Sequence, residues 1–225
     1  MTKITTAGLC ALTLSVALAG CSAKTETKTE SASASSAAET SGLAVPDLPK
    51  GSHKTIADYV DEHKIVETPV TKDQPGAPTV EFAMPPGWKP AGARKPEWAY
   101  GAVIYGDAKD PADPPFMTAI FNKMTGDVLP AKILEYAPGL LKNLPGYTQD
   151  NDIQQTTLGG FDAIAFQGSY LRDGVRRYIA QRTVVIPGKD DALYVLQLNA
   201  DAPLGQDQVI LEAAKVIDAG TTITP

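Results

Sequence analysis

Few side chains in this sequence are equipped for covalent chemistry. It holds two thiols, Cys10 and Cys21, and two imidazoles, His53 and His63. A nucleophilic triad needs a His beside a Ser or Cys. His53 borders a low-complexity stretch, His63 ends a short helical pattern, and no Ser sits in a Gly-x-Ser-x-Gly elbow. Gly168-Ser169-Tyr170 falls in the middle of a strand pattern, which suits a sheet position better than a nucleophile. Asp107, Asp110 and Asp113 recur at every third residue of a Pro-rich loop. Calcium loops of the EF-hand type use alternate residues, so solvated loop acids fit this spacing better. Gly159-Gly160 is too short to cradle a phosphate and precedes a strand.

Aromatic side chains offer recognition instead of turnover. Trp88, Trp98, Tyr100 and Tyr105 cluster around two strand patterns, and Tyr136, Tyr170, Tyr178 and Tyr194 occur farther along. Aromatic rings stack on sugar faces and pack on acyl chains, and ligand sites are mostly apolar with a few polar groups. Trp88, Trp98, Tyr100, Tyr136 and Tyr170 are the candidate ligand-binding residues; ordinary core packing is the competing reading for each. Arg172, Arg176, Arg177 and Arg182 make one hairpin basic, suited to a lipid headgroup, an acidic partner or plain solvation.

The elements that must position these residues are legible in outline. Residues 55–64 read as a short helix with Thr55 as N-cap. Strands are expected over 65–70, 79–84, 98–105 and 116–124. Residues 130–143 read as a helix that Pro138 should kink or divide. A polar strand follows over 148–158, then three strands over 161–171, 175–186 and 192–199. Arg172-Asp173-Gly174 is a hairpin turn, and 187–190 a second. The last helix is expected over 204–218. Runs of hairpin-linked strands with few helices predict α+β, with a mainly antiparallel β-sheet. Ala163-Ile164-Ala165-Phe166 is apolar on both faces, so helices or a loop layer should flank both faces.

Net charge is −6, which argues against nucleic acid and its basic footprint. Residues 21–52 read as a Ser/Ala/Thr linker, too polar to offset its chain entropy by burial. Its expected reach is about 30 Å. Residues 53–225 suit a single globular domain, long enough to fold without a staple.

Residues 1–20 read as a signal peptide. Lys3 precedes an apolar run over 7–18, too short to span a bilayer and of h-region length. The run ends in Leu18-Ala19-Gly20-Cys21, which resembles the lipobox of bacterial lipoproteins. That resemblance implies a diacylglyceryl thioether on Cys21, cleavage before it, and a lipid-anchored protein on the extracytoplasmic face of the cell membrane. Such a modification is covalent; no other cofactor and no metal is expected. A soluble secreted protein with an incidental Cys21 is the alternative. Cys10 leaves with the signal, so the mature domain carries neither disulfide nor free thiol.

Several motifs together resemble the mycobacterial LpqN/LpqT lipoproteins. They are Thr55-Ile56-Ala57-Asp58-Tyr59, Glu67-Thr68-Pro69-Val70, Thr125-Gly126-Asp127, Leu144-Pro145-Gly146, Thr157-Leu158-Gly159-Gly160-Phe161, Thr183-Val184-Val185-Ile186-Pro187, Leu196-Gln197-Leu198-Asn199-Ala200-Asp201 and Thr221-Thr222-Ile223-Thr224-Pro225. Their order and spacing agree from about residue 53 to the end. The resemblance implies a PsbP-like α/β/α sandwich and a non-enzymatic cell-envelope protein. It also implies binding of glycolipids of the trehalose mycolate type, or help in their transport. The other reading is an adaptor engaging an envelope transporter, an acyltransferase or a host protein. A hydrolase ranks last, for want of a triad.

Overall fold

A computed structural model describes residues 51–225. The signal peptide, the Cys21 modification and nearly all of the linker lie outside the described residues.

Helix α1 (Ile56–His63) starts where a capping box starts it. The Asp58 amide donates to the Thr55 hydroxyl at 3.1 Å, and the Thr55 amide donates to the Asp58 carboxylate at 2.8 Å. Two otherwise orphaned amides are thereby satisfied. Strand β1 (Val66–Pro69) and short strand β2 (Thr79–Glu81) follow. Trp88–Pro90 (β3) pairs antiparallel with Gly101–Tyr105 (β4), and β4 pairs with Phe116–Thr125 (β5).

Pro138 divides the middle helix as its missing N–H requires. Helix α2 is Pro130–Tyr136 and α3 is Gly139–Lys142. The strand expected over 148–158 is instead two, β6 (Thr148–Gln149) and β7 (Gln154–Leu158), both laid along β8 (Phe161–Arg172). Strands β9 (Val175–Pro187) and β10 (Leu193–Pro203) complete the central meander. The β8–β9 turn is a two-residue loop with Asp173 at φ 52° and Gly174 at φ 77°. Both central residues in the left-handed region define the turn that matches strand twist. Helix α4 (Asp207–Gly220) leads into β11 (Thr222–Thr224), which pairs with β2.

The large sheet is antiparallel in the order β3-β4-β5-β10-β9-β8-β6, with β1 also on β5 and β7 on β8. Its register sorts side chains between two faces. Phe121, Leu196, Val184 and Ala163 form one row across β5, β10, β9 and β8. This row packs against Val80 and Ile223 of the β2–β11 ribbon. On the same face Tyr178, Ala200 and Ala202 pack against Ile210 and Ala213 of α4. The opposite face carries Met124, Val185, Leu193 and Val195 beneath Tyr59, Val60 and Ile133. It also carries Ile164, Phe166 and Ile179 beneath Ala137 and Leu141. The α+β architecture with both sheet faces covered is therefore as the apolar strands required.

An apolar cavity beneath helix α4 and the terminal ribbon

On the α4 face the sheet and its cover do not meet everywhere. A cavity of about 690 Å³ lies between β4–β5 and the segment 79–85, lined by Val80, Phe82, Met84, Tyr100, Val103 and Met117 among others. That volume is in the range of small-molecule sites. A second cavity, about 160 Å³, lies under α4 against Tyr178, Ala180, Arg182, Ala200 and Ala214. Met117, Leu198 and Ile217 line both. Small side chains create the space. Ala180 and Ala200 face each other across β9 and β10, and Gly101 presents no side chain at all. A Cβ on Gly101 would meet no atom within 4 Å.

The lining is mainly aliphatic and aromatic, with a few polar groups. Burial pushes the Tyr100 phenol up, opposed by a hydrogen bond with the Val80 backbone. Burial likewise pushes Tyr178 up, reinforced by the Asp150 and Asp207 carboxylates. The Tyr178 hydroxyl has no hydrogen-bond partner among the described residues. Arg182 is held below the usual guanidinium range by burial. It donates to Asp218 at 2.9 Å, while its Nε has no partner among the described residues.

The five aromatic candidates do not share this site. Tyr100 lines the larger cavity, edge-on to Phe121 at 5.4 Å. Trp88 is buried on the same sheet face, but it packs on Tyr105 beside α4 and lines neither cavity. Trp98 sits half-buried in the turn before β4, its Nε1 without a partner among the described residues. Tyr136 packs on Tyr59 at 5.7 Å, with the Lys54 ammonium 4.8 Å from its ring, on the α1–α2 side of the sheet. Tyr170 is buried on that side too and donates to Asp201 at 2.7 Å. Strand alternation is the reason: Tyr170 and Tyr178 lie on adjacent strands, but Tyr170 is opposite Arg177 and so faces away from Tyr178. Sequence reasoning named Tyr178 only in passing and missed Arg182 as a cavity residue; their equal parity on β9 was the available signal.

The basic hairpin is mostly turned inward. Arg177 is buried against Asp201 and Asp113, and Arg172 reaches the same two carboxylates. Arg176 donates to the Ser169 hydroxyl at 2.9 Å. Asp113, from the acidic loop, thus pairs with arginines, and no cluster of three metal-ligating side chains occurs among the described residues. His63 packs on the Tyr59 ring at 4.6 Å.

A family model described as "Probable lipoprotein LpqN" matches residues 52–224. The lipoprotein LpqN of Mycobacterium tuberculosis is 48% identical over 177 residues, covering 78% of this chain and 76% of that protein. A crystal structure of LpqN, described as involved in cell envelope biogenesis of Mycobacterium tuberculosis, matches with a TM-score of 0.74 at 47% identity. It covers 78% of this chain and all of the other. With the match extending over the whole described domain, including the strands and helix that wall the cavity, this chain belongs to the LpqN lipoprotein family.

Proposed function

We propose that the protein is a membrane-anchored lipoprotein of the cell envelope whose domain binds an acylated glycolipid without turning it over. Acyl chains on Cys21 hold it at the extracytoplasmic face of the membrane, and the linker gives the domain reach. The observation that carries the reading is the 690 Å³ cavity lined mainly by aliphatic and aromatic side chains, Tyr100 among them. A space of that size and lining suits an acyl chain. The relative's involvement in envelope biogenesis supports the setting. Glycolipids of the trehalose mycolate type are the class to which the family resemblance points.

Gly101→Leu tests the reading. The new side chain enters open space from a strand position without a left-handed φ, so the protein folds while the cavity fills. Native mass spectrometry of the wild type is expected to show adducts on adding a trehalose monoester, and Gly101→Leu to lose them. Equal adduct formation by both proteins places the ligand elsewhere, and a wild type that stays free of adducts rejects lipid binding.

A further inference from the structure

We propose that Met117, Leu198 and Ile217 form a wall that sets the length of the acyl chain the domain accepts, with the space under α4 lying beyond it. This names specificity-determining residues within the glycolipid reading and rests on that reading.

Both layers contribute to the wall. All three residues line the larger cavity and the smaller one, so they stand between the two. Phe121 and Leu196 face each other across β5 and β10 on the α4 face. Met117 and Leu198 share their strand parity and so project from that face too. Ile217 continues the stripe of Ile210 and Ala213, both buried under α4, at helical spacing. Sheet and helix thus meet here through side chains, and the size of those side chains decides how far a chain can pass. Ile217 is stiff because its branch lies at Cβ, whereas Met117 is unbranched and adapts its shape.

The space beyond the wall suits a chain end. Ala180, Ala200 and Ala214 border it, and the atoms exposed to it are mostly carbon. Arg182 is paired with Asp218, and Asn151, Asp152 and Gln154 are exposed beside β7. A hydrocarbon end asks nothing of these groups, whereas a sugar would have to replace its bonds to water. Volume sets the increment. An apolar cavity of about 150 Å³ admits benzene, so the smaller cavity, at about 160 Å³, adds room for roughly four to six carbons of chain. On the same scale the larger cavity, at about 690 Å³, holds at most about twenty-five carbons.

The test offers the whole domain an equal mixture of saturated trehalose monoesters, from dodecanoate to triacontanoate, and reads the adducts by native mass spectrometry. Each methylene that enters the cavity raises affinity about fourfold, until the chain end meets the wall and the gain stops. Wild-type adducts should therefore cut off at one chain length. Ile217→Ala keeps the helix and lowers the wall, and should move the cut-off about four carbons longer. Esters just past the wild-type cut-off should then gain occupancy on the order of a hundredfold, while the shortest gain nothing. Leu198→Val lowers the wall from the strand side and should shift the cut-off in the same direction. Adding Ala214→Leu to Ile217→Ala fills the space beyond the wall and should cancel the gain. A gain that survives this addition comes from the atoms removed at Ile217 and overturns the inference. A cut-off that neither single variant moves, with Gly101→Leu still abolishing binding, also overturns it and leaves the glycolipid reading standing. Wild-type uptake of every ester without a cut-off shows that there is no wall. A wild type that takes up none of the esters removes both readings. Circular dichroism melts check that each variant is folded.

Discussion

Arg177 and Asp201 form an ion pair across β9 and β10 in which both side chains are almost wholly buried, at 4% and 2% exposure. The Arg177 Nε donates to Asp201 at 2.7 Å, and the Tyr170 hydroxyl donates to the other carboxylate oxygen at 2.7 Å. Burial alone would lower the pKa of Arg177, yet the Asp201 and Asp113 carboxylates outweigh it and the net shift is upward. Removing one partner of a buried pair leaves an uncompensated charge. Asp201→Asn is therefore expected to cost about 3 kcal/mol, a fall in Tm of roughly 10 °C. Asp113, at 41% exposure, should cost less than about 1 kcal/mol when changed to Asn. Thermal unfolding of the two variants checks the contrast; equal losses would show that the buried partner carries no special weight.

Three phenols, Tyr170 and Tyr178 buried and Tyr147 half-buried, make the fold sensitive to alkali. Tyr147 is pushed up to about 12, first by burial and then by the Asp150 carboxylate. Tyr170 and Tyr178 are pushed up further, in each case mainly by burial. A raised folded-state pKa means that the unfolded chain releases these protons first. The stabilisation is whole below pH 10, the ordinary phenol value, and is lost as pH climbs toward 12 and beyond. Tm should accordingly be flat up to about pH 10 and fall steeply above it. Tyr147→Phe should reduce that slope, as followed by circular dichroism; an unaltered slope would assign the alkaline loss to other groups.

Gly139 opens α3 directly under the chain that enters α1. A Cβ there would lie 2.0 Å from the Lys54 carbonyl oxygen, and backbone cannot yield as a flexible side chain does. Gly139→Ala, normally favourable in a helix, is expected instead to destabilise by about 1–3 kcal/mol. Urea unfolding measures it; a stabilised variant would mean that the two helices separate easily.

Anchoring should depend on one thiol. With two or three acyl chains, each buried methylene contributing about 0.8 kcal/mol, the protein made in its host is expected to enter the detergent phase of Triton X-114. Cys21→Ala is expected to leave the domain folded and move it to the aqueous phase. Retention in detergent would refute the role given to Cys21.

Local chemistry made much of the fold readable in advance. Thr55 with Asp58 starts α1, Pro138 divides α2 from α3, and Asp173-Gly174 turns β8 into β9, because each acts through bonds or sterics within a few residues. Turn residues bounded the long strands, and apolar residues on both faces announced cover on both sides. The short pieces escaped notice. β3 and β11 have three residues each and exist through partners distant in sequence, Gly101–Tyr105 and Thr79–Glu81. The cavity escaped for the same reason. The sequence showed where the aromatic residues cluster, but whether a ring fills the core or edges a space depends on strand parity and on what packs opposite. Tyr170 and Tyr178 are both buried tyrosines on neighbouring strands. One hydrogen-bonds Asp201 within the core, and the other is left facing a cavity because small side chains across β10 and on α4 do not fill the gap. That outcome is a property of packing between segments, which no local pattern in the chain records.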